Sequence, residues 1–171
     1  EPIVDLLCHG GIVGKAESVP SYMGGKPTQL KVLSLLESDK GTTNVRDLFP
    51  AWDTELKPSA PIIASCGTGA EIGKTTTAGS LIRALKTKGL KVAATKLAGT
   101  GRLRDLLALR DAGADISLDF PDVGMPSTYT SPDRYTAGIR TLINRLNKGN
   151  PDLIVAEFGG DIIEANIPTF F

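Results

Sequence analysis

The feature that most constrains this chain is a glycine-rich stretch, GTGAEIGKTTT, at residues 67–77. It follows the short apolar run PIIASC and precedes the amphipathic run KTTTAGSLIRALKTKG, so the order strand, loop, helix is predicted. Glycines let a backbone bend until successive N–H groups point inward, and the positive end of the following helix dipole adds to their attraction for an anion. The stretch therefore predicts a phosphate-binding loop.

The loop is one residue longer between Gly67 and Gly73 than the common pattern G-x-x-x-x-G-K-S/T. Lys74 is placed to reach the β- and γ-phosphates of a nucleotide, and the hydroxyl of Thr75 can ligate Mg²⁺. A plain glycine-rich turn is the simpler alternative. The residues expected to contact the nucleotide form one continuous run: Gly67, Thr68, Gly69, Ala70, Glu71, Ile72, Gly73, Lys74, Thr75 and Thr76.

Strand-like and helix-like segments alternate throughout residues 58–171. The predicted strands after the loop are LKVAAT, DISLDF and DLIVAE, and the predicted helices between them are GRLRDLLALRDAG and SPDRYTAGIRTLINRLNKG. The first helix should bury a stripe of four apolar residues: Ala78, Leu81, Ile82 and Leu85. This alternation predicts an α/β fold, in which helices flank a parallel sheet, and PIIASC should be buried on both faces.

Residues 1–57 differ from the rest, because short apolar runs alternate there with Gly and Pro. They predict a small β-rich accessory module, with two short strands broken at Gly10-Gly11 and a helical turn followed by a linker. His9 and Trp52 are expected to serve packing. The chain lacks an initial Met and ends on an apolar Phe, so we expect a piece of a longer protein whose 58–171 domain is incomplete at its C-terminus.

Composition excludes several classes of partner. The formal net charge is zero, which argues against nucleic acid and anionic membranes as partners, and there is no apolar run long enough for a membrane helix. The two cysteines, Cys8 and Cys66, lie too far apart for a metal motif, so we expect reduced thiols and a cytoplasmic protein. A small-molecule substrate is expected, and a homodimer or a missing segment could complete the sheet.

The longer loop, GTGAEIGKTT, resembles that of dethiobiotin synthetase, and three further matches follow in the order of that family. TKLAGTG supplies Lys96 where the family has a lysine at the end of the next strand. LRDLLALR supplies Asp105 where an aspartate opens a helix, and IVAEFGGD supplies Glu157 where a glutamate ends a later strand. The match covers about residues 60–162, with Leu97 in place of a proline. Residues 1–57 have no counterpart, so a related enzyme is expected rather than that one.

The resemblance implies roles for these residues. Lys74 and Lys96 would act as catalytic residues that bracket the transferred phosphoryl group, and Thr75, Asp105 and Glu157 would ligate Mg²⁺. Position supports this, because ligands of a parallel sheet bind at the carboxyl ends of its strands. Simpler interpretations stay open: Asp105 as a carboxylate favoured by a helix dipole, and Lys96 as a solvated surface lysine.

The segment DFPDVGMPSTYTSP at residues 119–132 is long and rich in Pro and hydroxyl side chains. Its position after a strand predicts a substrate or switch loop over the site, or else a plain connection.

Three functions fit the sequence. The resemblance implies a Mg-ATP-dependent synthetase or ligase that transfers a phosphoryl group to a small carboxylate. A regulatory switch ATPase or GTPase is the second, although Thr68 stands where the Min and Par partitioning ATPases have an additional lysine. The guanine-specific string Asn-Lys-x-Asp does not occur, but GTP remains an alternative to ATP. A non-catalytic phosphate-binding module is the third.

Overall fold

The computed structural model describes residues 2–21 and 24–171, so residues 1, 22 and 23 of the predicted N-terminal module lie outside the description. A three-stranded antiparallel sheet comes first, with β1 in its centre, and a two-stranded hairpin follows. These strands are β1 (Ile3–Leu6), β2 (Val13–Gly14), β3 (Gln29–Lys31), β4 (Glu37–Ser38) and β5 (Gly41–Thr42). The β-rich character of the segment is confirmed, and its boundary after residue 57 stays a prediction.

A parallel four-stranded sheet in the order β6-β9-β7-β8 forms the rest of the chain. Its strands are β6 (Ile62–Ser65), β7 (Val92–Ala98), β8 (Ile116–Asp119) and β9 (Leu153–Phe158). The helices are α1 (Lys74–Thr87), α2 (Leu103–Asp111), α3 (Pro132–Asn147) and the short α4 (Ile167–Phe170). The predicted α/β architecture is confirmed. Among the described residues, no helix is both long and apolar enough to cross a membrane.

The helices cover both faces of the sheet. Alternate residues of β7 and β9 point to opposite faces, so each strand contributes side chains to both layers. On one face α3 packs against the sheet through Tyr135, Ile139, Leu142 and Leu146, which meet Leu97, Ile154, Ala156 and Phe158. On the other face α1 and α2 pack through Ala78, Ile82 and Leu109, which meet Val92, Ala94 and Val155. The two central strands are therefore apolar throughout, as expected for a parallel sheet buried on both faces.

The prediction that the loop-bearing strand β6 is buried on both faces is wrong. Ile63 is 40% exposed and Ala64 is exposed as well. The reason is the strand order, since in the described part of the chain β6 lies at the edge and pairs with β9. Its free edge is where a further strand would pair, so completion of the sheet by another segment or a second copy stays a prediction.

An extended segment at residues 53–60 is held against α3 by side chains of the helix. The Oγ1 of Thr141 accepts from the N–H of Asp53 (2.8 Å), and the Oδ1 of Asn147 accepts from the N–H of Ala60 (2.8 Å). Asn144 lies between them and is buried. Its Oδ1 accepts from the N–H of Lys57 (2.9 Å), while its Nδ2 donates to the carboxylate of Asp53 and to the carbonyl of Glu55, both at 2.9 Å. These hydrogen bonds from Thr141, Asn144 and Asn147 form a polar ladder. The ladder holds the connection between the N-terminal segment and the parallel sheet against α3.

We predict that Asn144→Ala lowers the free energy of unfolding by about 2–3 kcal/mol, because it removes three hydrogen bonds and leaves the N–H of Lys57 without its acceptor. Thr136→Ala, at an exposed position of the same helix, should change it by less than about 0.5 kcal/mol. Urea unfolding followed by circular dichroism measures both. Equal effects of the two substitutions would show that the ladder contributes nothing.

Candidate functional site

The loop between β6 and α1 has the backbone geometry of an anion-binding loop. Gly73 caps α1 with a φ of 95°, and Glu71 also has a positive φ of 60°. A Cβ at Gly67 would lie 2.1 Å from the Cδ1 of Ile72, so that exposed side chain would have to move. The positive φ of Gly73 is the feature that favours glycine in this loop.

Contacts around Lys74 hold the loop in place. Lys74 is 8% exposed, and its Nζ donates to the carbonyl of Gly69, so its ammonium group lies inside the loop. The Oγ of Ser65 donates to the carbonyl of Lys74 (3.0 Å). The N–H of Ile162, in the segment after β9, donates to the carbonyl of Gly67 (3.1 Å). β6 thus holds the start of α1, and the segment after β9 holds the start of the loop.

A buried hydrogen bond joins the start of α1 to the end of β9. The Oγ1 of Thr75 donates to the Oε1 of Glu157 at 2.8 Å. Glu157 is 3% exposed, and its Oε2 is buried with no hydrogen-bond partner among the described residues. Burial raises the pKa of Glu157, although the hydrogen bond from Thr75 and the positive charge of Lys96 lower it. The structure therefore places one carboxylate oxygen beside the loop without a protein donor.

Lys96 is not a solvated surface lysine. It is 5% exposed and pairs in register with Glu157 on the neighbouring strand. A Cβ at Gly159 would lie 2.6 Å from the carbonyl oxygen of Ala98 and 2.8 Å from the Cε of Lys96, so the backbone of β7 leaves room only for glycine there. Its Nζ lies 2.5 Å from the Oδ2 of Asp105 and donates to the carbonyl of Thr100 (3.2 Å). The second predicted lysine is therefore held in the same crevice as the loop.

Asp105 lies in the first turn of α2, and its recorded side-chain contact is the ion pair with Lys96. The structure brings together Thr75 with Glu157, and Lys96 with Asp105. Among the described residues, no cluster of three or more His, Cys, Asp or Glu side chains is arranged to hold a metal. The role of Asp105 as a third metal ligand therefore stays a prediction, and its observed contact orients Lys96.

Asp119 was not predicted as a site residue, yet it ends β8 beside Lys96, to which it pairs in register. It is 3% exposed, and its Oδ1 accepts from the N–H of Phe120 (2.7 Å). Burial raises the pKa of Asp119 to about 7, and the carboxylates of Asp122 and Asp105 also raise it, whereas the charge of Lys96 lowers it. The signal in the sequence was an acidic residue at the end of the predicted strand DISLDF, a position similar to that of Glu157 in DLIVAE.

The segment at residues 119–132 packs against the turn after β7 and thus lies on the side of the site. The Oγ1 of buried Thr128 accepts from the N–H of Gly99 (2.8 Å), and the N–H of Thr128 donates to the carbonyl of Gly99 (2.9 Å). The Nδ2 of Asn166 donates to the carbonyls of Thr128 and Thr130, both at 2.8 Å. The segment is therefore bound to the turn after β7 and to the segment after β9. A substrate or switch role for it stays a prediction.

The strand, glycine-rich loop and helix at the carboxyl edge of a parallel sheet define a P-loop fold. No protein-family model and no curated protein sequence matches the chain. Among solved structures, the Signal Recognition Particle 54 kDa protein from Aeropyrum pernix K1, solved in complex with GDP, is similar. Its identity is 22%, the TM-score is 0.40, and the match covers 68% of this chain and 26% of that chain.

The Signal recognition particle receptor FtsY from Elizabethkingia anophelis is also similar, with 22% identity and a TM-score of 0.38 over 70% of this chain and 35% of that chain. The present chain thus spans about a quarter of the first chain and about a third of the second. Likenesses this distant assign no activity, and membership in a dethiobiotin synthetase-like group stays a prediction.

The raised pKa of Asp119 predicts a pH-dependent stability. The folded state binds the Asp119 proton more tightly than the unfolded state, so this group destabilises the fold progressively as the pH rises from about 4 to about 7. Asp119→Asn keeps an acceptor for the N–H of Phe120 and removes the charge. It should stabilise the protein at pH 8 by as much as about 4 kcal/mol, at about 1.4 kcal/mol per pKa unit, and by almost nothing at pH 4.

The measurement is urea unfolding of both proteins across this pH range in the presence of a chelator. Asp111→Asn, at an exposed position at the end of α2, is the control and should show no such trend. A difference between Asp119→Asn and wild type that does not change with pH would contradict the prediction.

Proposed function

We propose that the chain binds a Mg²⁺–nucleoside triphosphate at residues 67–77 and transfers its terminal phosphoryl group to a small carboxylate, as a synthetase or ligase does. The observation that carries the proposal is the Oε2 of Glu157, a buried carboxylate oxygen beside the hydroxyl of Thr75 that has no hydrogen-bond partner in the part of the chain that the structure describes. Leaving such a group unpaired costs about 1–3 kcal/mol or more, so a cation or its water is its natural complement.

The donor set fits Mg²⁺, which prefers hard oxygen ligands and retains several waters. Thr75 would supply a hydroxyl oxygen and Glu157 a carboxylate oxygen, and the bond between them orients the hydroxyl by using its proton. When bound, the magnesium nucleotide supplies the phosphoryl group and partly neutralises its charge. Glu157 would hold the metal directly or through a bound water, with Asp105 as a third candidate ligand.

Two buried lysines, Lys74 and Lys96, would stabilise the negative charge of the phosphates. Lys74 already points into the loop, where it would exchange the carbonyl of Gly69 for phosphate oxygens. Lys96 approaches from β7, and Asp105 holds its ammonium group in place at 2.5 Å. Fixed cations in a site of low dielectric stabilise charge that develops during transfer, and no covalent nucleophile of the protein is needed. The chemistry therefore depends on positioning and charge.

We place this activity in the cytoplasm, where nucleoside triphosphates and reduced thiols coexist, because both cysteines are free thiols. ATP is the nucleotide we propose, since the guanine-specific string is missing from the sequence. A nucleotide-dependent switch would use the same loop and metal residues. It would differ by a change of assembly on binding, so light scattering with and without nucleotide separates the two functions.

We predict that calorimetric titration shows Mg²⁺-dependent nucleotide binding with ATP preferred over GTP. Glu157→Gln keeps an acceptor for Thr75 but removes the charge, so it should weaken the Mg²⁺-dependent part of the affinity about 10–100-fold and spare the rest. Lys74→Ala should weaken binding in both conditions. Weak binding that is indifferent to Mg²⁺ in wild type would instead favour a non-catalytic phosphate-binding module.

A further prediction concerns Lys96. Lys96→Met retains an aliphatic chain between the glycines and removes the charge, so nucleotide affinity should stay within about threefold while phosphate release slows about 10²–10³-fold. Lys91→Met, at an exposed position just before the same strand, is the control and should leave the rate unchanged. The assay is phosphate release from Mg-ATP, with water as the acceptor. An unchanged rate in Lys96→Met would refute the catalytic role.

A further inference from the structure

A pocket of about 460 Å³ lies between the segment at residues 50–57 and the second half of α3. Its volume is within the range of small-molecule sites, about 300–1,000 Å³. None of the residues that line it belongs to the loop at residues 67–77, and the function proposed above makes no use of it. The pocket is therefore a candidate for a second, separate site.

The pocket lies away from the carboxyl edge of the sheet, where the loop is. A Cβ at Gly149, just beyond α3, would lie 2.0 Å from the Cδ1 of Ile116, which is the first residue of β8. The second half of α3 therefore lies towards the amino ends of the strands. Thr141 and Asn144 of the polar ladder line the pocket and hold its two walls together. A ligand bound here would lie towards the opposite edge of the sheet from the nucleotide.

Three cationic side chains line the pocket, and they come from both of its walls. Arg145 and Lys148 belong to the end of α3, and Lys57 belongs to the opposite segment. In the part of the chain that the structure describes, no carboxylate forms an ion pair with any of the three. Among the described residues, the one carboxylate in the lining is that of Asp53, which accepts from the Nδ2 of Asn144 at 2.9 Å. The lining therefore carries an excess of positive charge, although the formal net charge of the chain is zero.

Arg145 is fixed by a contact with the backbone. It is half-buried, and its Nη1 donates to the carbonyl of Asp122 at 2.7 Å. The other N–H groups of the guanidinium have no acceptor within the described ranges. A guanidinium held in this way offers a fork of donors to the oxygens of an anion, and lysines add point charges. The helix dipole favours cations at the end of α3, but it does not account for Lys57, which belongs to the other wall.

We propose that this pocket binds a small phosphate monoester, with its phosphate group on Arg145, Lys57 and Lys148. A phosphate monoester is largely a dianion at neutral pH, because its second pKa is about 6. That charge complements three cations beside one carboxylate, whereas a monocarboxylate would leave part of the positive charge without a counterion. Apart from Pro50 and Ala51, the lining side chains are polar or charged, so the body of the ligand would be polar as well. The assignment does not rest on the function proposed above.

The lysines of the pocket report its occupancy directly. The probe is glycerol phosphate, and glycerol is its uncharged counterpart. The protein is acetylated with N-hydroxysuccinimidyl acetate at constant ionic strength over a range of probe concentrations, and peptide mass spectrometry follows each lysine. Glycerol phosphate should slow acetylation of Lys57 and Lys148 with a common half-protecting concentration and leave exposed Lys88 unchanged. Glycerol should protect none of them.

Arg145→Gln keeps a donor for the carbonyl of Asp122 and removes the charge, so it should raise the half-protecting concentration about tenfold. Lys57→Gln changes an exposed position that leaves the fold intact, and protection of Lys148 should then need about threefold more probe. Arg110→Gln is the matched control, because Arg110 is also an exposed arginine in the last turn of its helix, α2. It should leave the half-protecting concentration unchanged.

The loop at residues 67–77 also attracts phosphate, so Lys74→Ala separates the two sites and should leave the protection of Lys57 and Lys148 unchanged. The proposal is overturned if Lys74→Ala abolishes that protection, if Arg145→Gln is protected as well as wild type, or if Lys88 slows together with the pocket lysines. Inorganic phosphate that protects at a lower concentration than glycerol phosphate would also overturn it, because the free ion would then be the ligand. A failure of nucleotide binding would overturn the proposed function and leave this assignment in place.

Discussion

The hydrogen bond between Thr75 and Glu157 is the contact on which the arrangement of the site depends. It joins the first turn of the helix after the loop to the strand that lies between β6 and β7. Because β9 is central, the parallel register sets Glu157 level with Ser65 on one side and with Lys96 on the other. Backbone hydrogen bonds of the sheet therefore align Glu157 with Lys96 and with Ser65 at the base of the loop. The bond from Thr75 then fixes the first turn of α1 to this row of residues.

The charges in this crevice favour a metal-bound nucleotide over phosphate alone. Two buried lysines, Lys74 and Lys96, face three carboxylates, those of Glu157, Asp105 and Asp119. Burial raises the pKa values of Asp119 and Glu157, although the charge of Lys96 lowers both. When all five groups are ionised, three carboxylates face two ammonium groups, so a cation would relieve the remaining negative charge and phosphate alone would add to it. Joint binding of Mg²⁺ and nucleotide is the combination that this charge distribution favours.

Local pattern was sufficient for much of the fold and for part of the site. The loop, the helices and the central strands follow from periodicity and glycine positions. Lys96 and Glu157 were found through the resemblance to dethiobiotin synthetase, and their places at strand ends support that choice. Strand order could not be predicted from local sequence pattern, because the edge position of β6 depends on non-local pairing that no short segment encodes. The polar ladder on α3 was missed for the same reason, since Asn144 looks like a solvated helix residue until its partner segment is in place. The ion pair of Asp105 with Lys96 was also missed, because a contact between two elements cannot be read from sequence spacing.

The N-terminal module contacts the site region at one turn, the turn that follows β7. The residues that follow β7 must pass between Gly159, where the lysine chain crosses, and the hairpin at Gly10, so small residues are required on both sides. The module packs against this turn, because a Cβ at Gly10 would lie 2.6 Å from the carbonyl oxygen of Gly101 and 3.3 Å from the Cβ of Thr100. A buried lysine keeps its position only if its acceptors are fixed, because a mobile carbonyl satisfies an ammonium group no better than water does. The module therefore packs against the turn whose carbonyl, that of Thr100, accepts from Lys96.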